Sequence, residues 1–102
     1  MEQRQNYIVD VVFADSYFEY NVLAYSEDEA CDAAYAFLKL QLGIVDVVDE
    51  GDGEYEVRAG VLSEKDTWQT YQVTANSAEE ARKITMRQVI NEVQVVDVYD
   101  AE

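Results

Sequence analysis

Histidine and proline are absent from this 102-residue chain; cysteine occurs once, glycine four times, and only seven residues are basic. Each shortage excludes something. Without histidine, the usual general base and the commonest metal ligand are missing. A lone cysteine, Cys31, permits no internal disulfide, so a reducing cytoplasm is the expected compartment. Cys31 falls beside the apolar stripe of an expected helix, where a small inert thiol is the natural reading. Scarce glycine and no proline favour regular elements joined by short turns. No run approaches the roughly 18 apolar residues of a membrane span. The opening MEQRQNYIVDVVF has one base and too short an apolar run for a signal peptide. G-x-S-x-G, P-loop and G-x-G-x-x-G patterns are also missing. Neither an enzymatic activity nor a cofactor is expected.

What the chain does have is acid. Twenty-two Asp and Glu against seven bases give a net charge of −15, well beyond the magnitude of roughly 2–8 that keeps a small domain soluble. Yet 49% of the residues are hydrophobic, with eight Tyr, three Phe and one Trp. That composition makes a packed core and not a disordered acidic tail, and the length suits one domain, 1–102. The charge argues against direct binding of nucleic acid or of an anionic membrane, both of which require Lys and Arg. It favours a basic protein partner, drawn in by the negative field. Solubility or halophilic adaptation is the alternative use for such acidity.

The chain repeats itself. At an offset of 51 residues, YNVLAYSEDEA (20–30) lies over YQVTANSAEEA (71–81), and IVDVVD (44–49) over VVDVYD (95–100). Upstream, YIVDVVF (7–13) corresponds to YEVRAGVL (55–62) once the second connection is allowed extra residues. Two copies of one unit, about 1–51 and 52–102, are the economical explanation.

Each copy reads strand, strand, helix, strand. Segments 6–13 and 54–62 are rich in Val, Ile and Tyr, and each should form a hairpin with the segment that follows, 17–25 and 67–75. SEDE and SAEE then open a helix with Ser at the N-cap and Glu three residues on. The stripes Ala30, Ala34, Leu38, Leu42 and Ala81, Thr85, Val89, Val93 have helical spacing. Gly43 stands where a C-cap glycine is wanted. In the closing strands, Val45 and Val47 should share one face and Asp46 the other, as should Val96 and Val98 against Asp97. The expected fold is α+β: a tandem duplication of a ββαβ unit, with about six antiparallel-rich strands, both helices on one face and right-handed crossovers.

The acids are spread over these elements. Asp28, Glu29 and Asp32 fall on the first helix, Asp49, Glu50, Asp52 and Glu54 around the 49–54 turn, and Asp46, Asp97 and Asp100 on the strands after the helices. Held on a rigid fold, these ten carboxylates form the candidate partner-binding set, with Tyr17, Trp68 and Tyr99 as candidate anchors. In size, charge and lack of chemistry the chain resembles the small acidic anti-CRISPR and anti-restriction inhibitors of phages and mobile elements. The resemblance implies nucleic-acid mimicry: occupation of a basic nucleic-acid-handling protein in the host cytoplasm. Two other readings are kept. One is a homodimeric scaffold that joins the helix bearing Asp32, Phe37 and Leu40 to the helix bearing Arg82, Lys83 and Arg87. The other is weak Ca²⁺ binding at DEGDGE (49–54), where the EF-hand spacing is not met and an ordinary turn explains the residues equally well.

Overall fold

The computed structural model describes residues 3–101. The fold is α+β, with six strands in two antiparallel sheets and two helices. In chain order these are β1 (Gln5–Phe13), β2 (Ser16–Ala24), α1 (Glu27–Gln41), β3 (Leu42–Gly51), β4 (Glu54–Val61), β5 (Gln69–Thr74), α2 (Ala78–Asn91) and β6 (Gln94–Asp100). A 3-10 turn, Lys65–Thr67, precedes β5. Among the described residues no helix is long and apolar enough to cross a membrane.

The chain divides into two compact units, Met1–Leu40 with Val93–Glu102, and Gln41–Glu92. In the first, β1 is the central strand of a sheet ordered β2-β1-β6. Alternate β1 residues Tyr7, Val9, Val11 and Phe13 are buried, and β2 turns Val22 and Ala24 to the same side. Helix α1 buries Ala30, Ala34 and Leu38, the expected stripe, and the Phe37 ring meets Tyr20 of β2 at 5.9 Å. In the second unit β4 is central in the order β3-β4-β5, burying Tyr55, Val57, Ala59 and Val61. Helix α2 packs on this sheet with Ala81, Thr85 and Val89 inward, and Thr85 Oγ1 donates to the Ala81 carbonyl at 2.8 Å.

Each hairpin therefore takes its third strand from the other half of the chain. The strand after α1 does not return to the β1–β2 sheet; β3 pairs with β4, and β6 pairs with β1. All strand pairings among the described residues are antiparallel, so the expected right-handed βαβ crossovers do not occur there. The registers nevertheless correspond. Val9 stands between Tyr20 and Val98 as Val57 stands between Tyr71 and Val47, and Asp100 faces Tyr7 as Asp49 faces Tyr55.

Several local expectations change. Gly43 is no helix cap: it lies within β3 opposite Gly60, and a Cβ there would come within 2.7 Å of the Leu62 side chain. Leu42, counted in the helical stripe, is the buried first residue of β3, and Val93 lies beyond the end of α2. The register slips at Val45 and at Val96, each an extra residue in its strand. A bulge resets the alternation of sides. Val95 and Val98 consequently oppose the buried Val11 and Val9, while Val96 is half exposed.

Candidate protein-binding site

Both helices begin as their sequences dictate. Ser26 Oγ accepts from the Glu29 N–H at 3.1 Å, and Ser77 Oγ from the Glu80 N–H at 3.1 Å. Each glutamate then reaches one residue beyond the cap: Glu29 accepts from the Tyr25 N–H and Glu80 from the Asn76 N–H. Glu29, one of the candidate binding acids, is thus occupied with its own helix. Asp28 and Asp32 are exposed on the same helix.

The β3–β4 hairpin collects Asp49, Glu50, Asp52 and Glu54 at one tip. Gly51, Asp52 and Gly53 all have positive φ, at 89°, 56° and 77°, which explains the glycines as turn residues. Asp49 Oδ1 accepts from the Gly51 N–H at 2.9 Å, and Glu54 Oε1 from Thr74 Oγ1 at 2.9 Å. Glu50 and Asp52 are exposed. Among the described residues no group of three or more His, Cys, Asp or Glu is placed to hold a metal ion.

The strand acids differ between the sheets. In the β3-β4-β5 sheet Asp46 stands opposite Arg58, which stands opposite Thr70. Arg58 grips Asp46 with two donors, Nε to Oδ1 at 3.3 Å and the terminal nitrogen to Oδ2. The hydrogen bonds and charge of Arg58 hold the Asp46 carboxyl below its ordinary range. In the β2-β1-β6 sheet the corresponding row is Glu19, Asp10 and Asp97, directly opposite one another across the three strands. Like charges so placed repel. Tyr99, two residues from Asp97, has its hydroxyl pKa raised by partial burial and then by the charges of Asp10, Glu19 and Asp97.

Of the expected set, the tip gathers Asp49, Glu50, Asp52 and Glu54. Strand β6 carries Asp97 and Asp100, α1 carries Asp28, Glu29 and Asp32, and Asp46 is internally paired. Reading the sequence missed Asp10 and Glu19. The available signal was a mismatch between two aligned segments, YIVD at 7–10 against YEVR at 55–58. Tyr17 is the anchor candidate most open to solvent, at 75%, whereas Trp68 is partly buried with its indole N–H donating to the Val61 carbonyl at 2.9 Å.

The helix residues singled out for dimerisation are partly committed elsewhere. Lys83 pairs with Glu79 at 3.5 Å, and Phe37 lies against Tyr20; Leu40 is 84% exposed. A depression of about 360 Å³ at the start of α2 is lined by Ser77, Glu79, Glu80, Lys83 and Arg87, opposing charges on one helix. No protein-family model matches the chain, and no curated protein or solved structure is detectably similar to it.

Proposed function

We propose that this protein is a non-enzymatic, acidic protein-binding inhibitor. It occupies a basic nucleic-acid-binding surface of a host defence protein in the cytoplasm, in the anti-CRISPR or anti-restriction manner. Its framework is a duplicated ββαβ unit whose copies exchange their last strands; the matching registers and the matching bulges at Val45 and Val96 support that origin.

One observation carries the reading: the carboxylates stand on regular elements and not on a tail. Across the row Glu19, Asp10 and Asp97 the charges sit on adjacent strands, about 4.8 Å apart. A nucleic-acid strand presents one charge per about 3.4 Å of duplex axis. Such a fixed array competes for the same lysines and arginines as a phosphate backbone, with association that is fast and salt-sensitive.

The test is competition. Proteins captured at low salt from a bacterial lysate are purified and loaded with their own nucleic acid, and this protein is titrated in. Displacement of the nucleic acid, weakening steeply as salt rises, is the expected result. Partners that hold their nucleic acid at saturating inhibitor would end the proposal.

A further inference from the structure

The open side of the β2-β1-β6 sheet is more than generally acidic. Its buried side is filled by Tyr7, Val9, Val11 and Phe13, so Asp10 and its cross-strand neighbours face away from that core. There the acidic row runs between two tyrosines: Tyr17, opposite Val12, and Tyr99, opposite Ile8. Tyr17 is 75% and Tyr99 41% exposed. Among the described residues no base pairs with Asp10, Glu19 or Asp97.

The second sheet shows what this framework holds when it is complete. Its equivalent row carries Arg58 in the place of Asp10, and that guanidinium lies on Asp46, the counterpart of Asp97. The first sheet has the acceptor without the arginine, and two further carboxylates in its stead. We propose that this face recognises an arginine side chain of a partner protein, seated across Asp97, Asp10 and Glu19 between Tyr17 and Tyr99. This rests on the reading that the protein binds a basic partner, and it names the group that the partner presents.

Arginine fits better than the other cations. Its flat fork has five donors, spans carboxylates on neighbouring strands and stacks on tyrosine rings. A hard metal ion instead needs several oxygens converging on one point, and among the described residues no group of three or more His, Cys, Asp or Glu is placed to hold one. Lysine supplies a point charge without the fork.

The probe is a capped tetra-arginine peptide, with capped tetra-lysine as the control of equal charge, titrated into the ¹⁵N-labelled protein. Tetra-arginine is expected to shift amides within 8–12, 17–21 and 95–99, and to bind several-fold more tightly than tetra-lysine. Asp10→Arg builds the Asp46–Arg58 pair into the first sheet. It is expected to raise the melting temperature and weaken tetra-arginine binding by about tenfold or more. Glu19→Gln, at an exposed site, reads the same loss without the new pair. The charge control is Asp49→Asn, Glu50→Gln and Asp52→Asn together, which neutralises more charge at the hairpin tip and should bind the peptide as the unmodified protein does. The inference is overturned if both row variants bind tetra-arginine normally, or if the tip variant loses as much as they do. The broader functional reading has its own readout, displacement of nucleic acid from the captured partner, so failure of the two is distinguished.

Discussion

Asp46 and Asp97 hold equivalent places in their strands, and one residue opposite each decides how they behave. Arg58 makes Asp46 half of an ion pair; Asp10 makes Asp97 part of a repelling row. Because the folded protein lowers the Asp46 pKa, the pair's contribution is present above the ordinary aspartate value of about 3.9 and is lost as pH falls through the folded value. In Arg58→Ala the Asp46 carboxyl should titrate higher, back towards the ordinary range, as followed by carboxyl ¹³C shifts; an unmoved midpoint would discard the pairing. Tyr71 shifts the other way. Its hydroxyl donates to Glu92 Oε2 at 2.6 Å, and burial first, then the bond and charge of Glu92, raise its pKa. The stability it supplies is full below the ordinary tyrosine value of about 10 and declines as pH climbs towards the folded value. Tyr71→Phe should cost about 1–2 kcal/mol near neutrality. Urea unfolding should show that deficit narrowing well above pH 10, where the unmodified protein gives up the same bond.

At the scale of elements, the 3-10 turn ties β4 to the chain beyond it through one threonine. Thr67 Oγ1 accepts from the buried Val61 N–H at 2.9 Å and donates to the Glu64 carbonyl at 2.7 Å. The chain presses so closely there that a Cβ at Gly60 would stand 2.8 Å from the Thr67 carbonyl oxygen. Gly60→Ala should therefore cost about 1–3 kcal/mol by overpacking. Gly43→Ala meets only the side chain of Leu62, which can move aside, so it should cost less in parallel urea titrations. A larger loss at Gly43 would contradict this account. Much at this level was legible in the sequence. Ser-x-x-Glu marked both helix starts, and alternation found all six strands, because caps and pleats leave local signatures. The β1–β2 and β4–β5 pairings were legible from their short connections, but the third strand of each sheet was not: alternation says which side a residue faces and is silent on which strand lies beside it. The bulges at Val45 and Val96 and the turn at Lys65–Thr67 left no such signature either. The acidic row was half legible, since Asp97 stood out within its repeated VDV, while Asp10 gained meaning only beside Arg58.

The whole molecule turns on the pairing of β6 with β1 and of β3 with β4. A half-chain that paired only with itself would need only local pairings, whereas here β1 relies on a strand more than 80 residues away, as the Tyr7–Asp100 pairing shows. Residues 1–51 alone would hold the β1–β2 hairpin without β6, and a β3 without β4; residues 52–102 alone would lack the strand that covers one edge of β4. A two-stranded hairpin is marginal by itself in water, and each fragment also keeps its share of the acidic repulsion. The two fragments, made separately, are therefore expected to give the circular dichroism and narrow amide dispersion of largely unfolded chains. Mixed in equal amounts at moderate salt, which screens the repulsion, they should assemble into a one-to-one complex with the spectrum of the intact protein. Deleting 94–102 from the second fragment should abolish recovery of native shifts at Tyr7, Val9 and Val11. A first fragment that folds by itself as a monomer would show that β1 and β2 do not need β6.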